Sequence, residues 1–126
     1  MHSILIVEDE LNLRWLYKET LEEAGYCVIT TAMGTEASKI IQTETIKLVV
    51  LDIQLPDVSG MEILCNTLTK RKDIPFIINT SYPTYKLDFR SWGADAYLCK
   101  SSDLSILTQT VAEILNGQYS RFEVVH

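Results

Sequence analysis

Four polar groups in this chain each follow a short apolar run. Glu8 and Asp9 come after Ile4-Leu5-Ile6-Val7, and Asp52 ends the run from Ile46 to Leu51. Thr80 comes just after Phe76-Ile77-Ile78, and Lys100 follows Tyr97-Leu98-Cys99. Three carboxylates brought together without a cation repel, and at least one would take up a proton. A hard divalent ion removes that conflict, and Mg²⁺ favours a few carboxylates together with waters and phosphate oxygens. A carboxylate is also a nucleophile toward phosphorus, giving an aspartyl phosphate. A lysine ammonium supplies a second cation for the transferring group, and a threonine hydroxyl a hydrogen bond to it. In isolation Asp52 reads as a strand-end turn residue, Thr80 as a turn residue and Lys100 as a solvated surface lysine. Glu8-Asp9 alone reads as an acidic start to a helix. The chemistry follows only if the fold gathers them.

The pattern along the chain supplies such a fold. Strand-like runs cover Ile4–Val7, Tyr26–Thr31, Lys47–Leu51, Phe76–Thr80 and Ala96–Cys99. Helical patterns lie between them, over Leu11–Ala24, Thr35–Thr43, Met61–Lys72 and, weakly, Tyr85–Trp92. In the first helix Leu11, Trp15, Leu16 and Leu21 form the apolar stripe, with Gly25 as the C-cap. A last helix, capped by Ser102 or Ser101, carries Leu104, Leu107, Val111, Ile114 and Leu115 and stops at Gly117. Gln54 to Gly60 is a loop by its Pro, Asp, Ser and Gly content. Short buried strands alternating with helices predict a (βα)₅ α/β domain with a parallel sheet. Every strand then ends along one edge, where ligands bind.

At 126 residues the chain is long enough for one domain, read as residues 1–117 with 118–126 as a tail or the start of a linker. The net charge of −6 argues against a general nucleic-acid surface, which needs basic patches. The apolar runs are too short to span a bilayer, and no signal-peptide pattern opens the chain, so the expectation is a soluble, cytoplasmic domain. Cys27, Cys65 and Cys99 lack metal-ligand spacing and read as reduced core residues. Lys70-Arg71-Lys72 reads as a solvated helix end, and His2 and His126 carry no assignment.

These residues, in this order, resemble the receiver domain of two-component response regulators. The landmarks are Ile4 to Glu10, Leu51 to Gly60, Pro75 to Ser81 and Gly93 to Lys100. The resemblance covers Ser3 to about Gly117. It implies a flavodoxin-like, doubly wound five-stranded sheet of order 2-1-3-4-5. It implies that Asp52 is the phosphoacceptor, that Asp9 holds Mg²⁺ (or Mn²⁺) directly and Glu8 through water, and that the Gln54 backbone carbonyl completes the metal's protein ligands. Thr80 and Tyr97 resemble the switch pair, the hydroxyl moving toward the phosphoryl group as the ring turns inward. Lys100 resembles the lysine that pairs with the phosphoryl oxygens.

The implied partners are a sensor histidine kinase or histidine phosphotransfer protein, and a downstream protein or fused output domain. A phosphorylation-dependent homodimer is compatible with it. The implied chemistry is self-catalysed phosphotransfer and slow autodephosphorylation, read out on the face of the fourth helix, fifth strand and fifth helix. Two departures bear on it. Ser101 stands where the family usually has proline, so the expected Lys100–Ser101 connection is reshaped, with Lys100 held less firmly. Tyr82 and Gln54 flank the route of the hydrolytic water, and the Tyr82 ring is expected to shield the acyl phosphate. Competing readings are an unphosphorylated interaction module of the same fold and a metal-dependent phosphatase of small molecules. The phosphatase reading is weakened because Gln54 stands where such enzymes generally place a second acid.

Overall fold

The computed structural model describes residues 3–57, 62–63, 66–67, 73–81 and 94–117. Five strands, β1 (Ser3–Val7), β2 (Cys27–Thr31), β3 (Ile46–Leu51), β4 (Phe76–Thr80) and β5 (Ala96–Cys99), form one sheet in the order β2-β1-β3-β4-β5. All four pairings are parallel. Helices α1 (Leu11–Glu23), α2 (Gly34–Thr43) and α3 (Ser105–Leu115) cover its two faces, and Glu62, Ile63, Asn66 and Thr67 are also helical. The parallel sheet is the one that the sequence pattern predicts, its flavodoxin-like order is the one that the resemblance implies, and each described element lies within two residues of its expected bounds at either end, except for a later start to α3.

Alternation along each strand splits the core in two. Leu5, Val7, Val49, Leu51, Phe76, Ile78 and Tyr97 face one side with Ala37 and Ile41 of α2. Ile4, Ile6, Leu48, Val50, Ile77, Ala96 and Leu98 face the other, with Tyr17 and Leu21 of α1 and Leu107 and Val111 of α3. Asp95 squares the start of β4 against β5: its amide donates to Phe76 O at 2.8 Å while its Oδ2 accepts from Phe76 N at 3.0 Å.

Helix α1 corrects one reading. Leu11 and Trp15 are 66% and 60% exposed and Leu16 is also exposed, whereas Tyr17 is 2% and Leu21 0% exposed. The sheet-facing row runs through Leu13, Tyr17 and Leu21 at intervals of four, the spacing of one helical face. The helix has a tyrosine in its core, and its tryptophan faces solvent. Glu10 caps it, accepting from Asn12 N and Leu13 N. Ala24 is the C-cap, and Gly25 follows it at φ +100°, with Tyr26 N donating back to Leu21 O.

The start of α3 is a second correction. Neither Ser101 nor Ser102 caps it directly. Asp103 Oδ1 accepts from Ser105 N at 3.0 Å, and Ser101 Oγ in turn accepts from Asp103 N at 3.0 Å. The acidic residue holds the helix's orphan donor, and the serine holds the acid's own amide. The expected helix over Tyr85–Trp92 lies outside the described residues, as do Cys65, Tyr82, Lys70-Arg71-Lys72, His2, His126 and the tail 118–126.

The reassigned face of α1 has a direct consequence. Leu21→Ala should lower the unfolding free energy by roughly 2–5 kcal/mol, and Leu11→Ala by no more than about 0.5 kcal/mol. Urea denaturation of the two variants checks this, and equal losses would contradict the burial pattern.

Candidate functional site

Strand pairing fixes where the polar groups emerge. Val7 is level with Leu51, and Thr80 with Cys99, so Glu8, Asp52, Thr80 and Lys100 leave the sheet along one edge. Asp52 N donates to Val7 O at 3.1 Å, and Lys100 N to Thr80 O at 2.8 Å, extending the ladder to the site itself. One carboxylate oxygen each from Glu8, Asp9 and Asp52 lies within 4.8 Å of the other two.

Lys100 binds this cluster together. Its Nζ lies 2.7 Å from Glu8 Oε1 and 2.7 Å from Asp52 Oδ2. The side chains are 15%, 2% and 7% exposed respectively, so these are largely desolvated ion pairs. Burial alone would lower the Lys100 ammonium, but the hydrogen bonds to Asp52 and Glu8 outweigh it and push it up to about 12. Burial raises the Glu8 carboxyl above its ordinary value, partly offset by the bonds from Lys100 and the Glu10 amide. Asp52 Oδ1 accepts from Gln54 N at 3.1 Å, which orients the carboxylate. Asp9 is exposed, at the mouth of an open cleft of about 560 Å³ that Gln54, Pro56, Asp57 and Glu62 also line.

The structure therefore brings Glu8, Asp9, Asp52 and Lys100 into contact range, with Gln54 beside Asp52. Thr80 is buried at the end of β4, and Tyr97 is buried one strand away, its ring within the core cluster of Leu5, Val7 and Leu51. Burial pushes the Tyr97 phenol up to about 12. The Lys100–Ser101 peptide is trans, since no described peptide is cis. Two short ion pairs and a backbone hydrogen bond to the Thr80 carbonyl hold Lys100 in this trans connection.

Several residues of the site carried no local sequence signal. Arg14 Nη1 donates to the carbonyls of Glu8 at 2.9 Å and Asp9 at 3.3 Å, pinning the acidic pair's backbone from the first turn and a half of α1. Asp57, read only as a loop residue, reaches back to α2, where its two oxygens accept from Gly34 N at 2.8 Å and Thr35 N at 2.9 Å. The Thr35 amide, with the Gly34 amide, holds the Asp57 carboxyl down at about 2. Tyr17 and Asn79 are both buried and line one small pocket with Leu98 and Cys99. Asn79 within an otherwise apolar strand was the one visible sign.

The parallel sheet of order β2-β1-β3-β4-β5 is that of a flavodoxin-like domain, and its edge carries three carboxylates that could hold a cation, with one ammonium among them. The family model of the response regulator receiver domain matches residues 4–112. The chain belongs to that family. It is 35% identical over 122 residues to a probable transcriptional regulator, ycf27, of Cyanidium caldarium, covering 95% of this chain and 49% of that protein. The crystal structure of response regulator TrrA from Thermotoga maritima in complex with Mg²⁺-BeF superposes with a TM-score of 0.84 at 40% identity, covering 90% of this chain and 99% of that one. A TrrA chain in complex with histidine kinase ThkA gives 0.83 at 41% identity, covering 91% and 99%. The chain spans about half the length of the curated relatives it matches. No helix among the described residues is long and apolar enough to cross a membrane.

The ion pairs of Lys100 set an alkaline limit. Its raised value means that its stabilising contribution is complete below about 10.5 and is lost as pH rises through about 12. Tyr97, raised from 10.0 to about 12, loses its contribution in the same direction. The thermal midpoint should therefore fall between pH 10 and 12, and fall less steeply in Lys100→Met, as measured by circular dichroism.

Proposed function

We propose that the chain is a phosphorylatable signalling switch in which Asp52 accepts a phosphoryl group from phosphohistidine on a sensor histidine kinase or phosphotransfer protein. The observation that carries the reading is the Asp52 carboxylate, bonded at 2.7 Å to Lys100 within a cluster of three acids. The donor set fits a hard divalent ion: three carboxylates against one ammonium leave two negative charges uncompensated, the charge of one such ion. Asp9, Asp52 and the Gln54 carbonyl would hold Mg²⁺ (or Mn²⁺), with Glu8 through water, and the ion supplies charge neutralisation at the phosphoryl oxygens.

The chain's own groups then have separate tasks. An Asp52 oxygen forms the new O–P bond as the N–P bond of the donor breaks. The imidazole leaves with that electron pair and takes a proton. Lys100, already at the reacting oxygen, pairs with the phosphoryl oxygens as they arrive. Thr80 donates its hydroxyl to the installed group. Tyr97 is buried at the neighbouring strand, which supports its pairing with Thr80 as the switch. The readout is a population shift toward the phosphorylated arrangement, passed to a downstream protein or a fused output domain. Hydrolysis of the acyl phosphate, slow and self-catalysed, resets it.

Intact-protein mass after incubation with Mg²⁺ and a small acyl-phosphate donor tests the reading. The native chain should gain one phosphoryl group with Mg²⁺ and none when the metal is chelated beforehand, and Asp52→Asn should gain none. No adduct on the native chain would leave an unphosphorylated interaction module. Tyr82, two residues after Thr80, should shield the acyl phosphate from water. Tyr82→Ala is expected to shorten the phosphoryl lifetime several-fold, and an unchanged lifetime would remove Tyr82 from the account.

A further inference from the structure

We propose that Asp57 is a positioning residue for the metal, clamping the loop that carries Asp52 and the Gln54 carbonyl onto the first turn of α2. The inference rests on the phosphoacceptor reading given above, in which that loop supplies two of the metal's ligands. Asp57 itself takes no part in the chemistry described there and acts only through the loop.

The clamp has two points. Asp57 Oδ1 accepts from Gly34 N at 2.8 Å, and its Oδ2 accepts from Thr35 N at 2.9 Å. Two oxygens of one planar carboxylate meeting two consecutive amides fix orientation as well as distance. Helix α2 has no cap of its own, for Met33 stands at the N-cap and its side chain makes no capping bond. A Ser, Thr, Asp or Asn at that position would satisfy such donors locally. The two amides are answered instead from the loop after β3, so the helix start and the loop hold each other.

The loop is short enough to transmit that hold. At its near end Gln54 N donates to Asp52 Oδ1 at 3.1 Å. Ile53 and Leu55 pack against the same core cluster as Ala37 and Ile41 of α2. Only Leu55 and Pro56 separate Gln54 from the clamp. Pro56 has a fixed φ and biases Leu55 toward extended backbone, so a shift at Asp57 passes back to the Gln54 carbonyl. The apolar contacts of Leu55 are non-directional and set the loop's depth rather than its register along the helix. Asp57 and Gln54 also line the open cleft on which Asp9 stands. Groups that orient a metal's ligands without touching the metal typically change its affinity about 10–100-fold.

A titration with Mg²⁺ alone, followed by amide NMR shifts, and amide exchange with and without Mg²⁺ test the proposal. Asp57→Ala should weaken Mg²⁺ binding about tenfold, and Asp57→Asn, which keeps one acceptor oxygen, about threefold. Both variants lose the same charge, so equal losses would assign the effect to charge and overturn the proposal. Native affinity in Asp57→Ala would overturn it too. Coupling is reciprocal, so saturating Mg²⁺ should slow exchange at the Gly34 and Thr35 amides of the native chain by about the same tenfold. A role confined to capping α2 predicts no such dependence on Mg²⁺, and this native measurement decides alone if the variants unfold. If the native chain binds Mg²⁺ but takes no phosphoryl group, the phosphoacceptor reading fails and the same two measurements still decide the clamp. If it binds no Mg²⁺, the clamp proposal fails.

Discussion

The contact on which the molecule's chemistry depends is the Lys100 ammonium lodged between Glu8 and Asp52. Removing one partner from a buried ion pair typically costs about 3–5 kcal/mol, because the other charge is left without solvent or counter-ion. This lysine offsets the cost of burying Glu8 and Asp52 at the sheet edge. Its origin makes the sheet order necessary. Adjacent strands lie about 4.8 Å apart, so β5 stands roughly 10 Å from β3 across β4. A lysine can bridge that interval from a backbone position that a shorter side chain could not use. In any strand order that moved β5 further away, the carboxylates would lose their internal cation.

The compensation is deliberately partial. Lys100 answers one negative charge, and Arg14 is spent on carbonyl oxygens rather than carboxylates. Burial makes Glu8 harder to ionise, while Asp9 stays in solvent at the cleft. The site therefore presents one open acid and two shielded ones, a surface that favours a cation arriving from water. On the proposed reading, phosphorylation changes this balance. Asp52 surrenders its own charge on acylation, and the phosphoryl group presents a larger one slightly further out. Lys100, held on one side by Asp52 alone, has reason to follow it.

Much of this was legible in the residues because the relevant signals are local. Apolar runs of four to six residues, each ended by a polar group, give both the parallel sheet and the edge on which Glu8, Asp9, Asp52, Thr80 and Lys100 meet. What stayed hidden depends on side chains that act against their usual class. Tyr17 falls outside the expected apolar stripe because its hydroxyl marks it as polar, and Trp15 falls on that stripe, as core or docking-face packing, because its ring marks it as apolar. Their positions in the helix decide otherwise, since only the row of Leu13, Tyr17 and Leu21 faces the sheet. Asp57 looked like turn material because its partners, Gly34 and Thr35, lie more than twenty residues earlier. At the start of α3 the serines are good caps by type, but Asp103 is the group whose oxygen reaches the first helical amide.

The start of α3 is also where the site adjoins the rest of the fold. Proline after the lysine would fix the connection by ring geometry, independent of its surroundings. Here a chain of hydrogen bonds fixes it, from Ser101 Oγ to the Asp103 amide and from Asp103 Oδ1 to Ser105. Such a connection depends on alignment at every step. A displacement of Lys100 shifts Ser101 directly, and Ser101 can move only by stretching its bond to Asp103, which carries the cap of α3. The helix is anchored further along by Leu107 and Val111 against the sheet. The Lys100 ammonium, paired with Asp52, is thus followed directly in the chain by the hydrogen bonds that begin α3. A rigid ring at Ser101 would hold Lys100 equally well but would separate its position from the hydrogen bonds that begin α3.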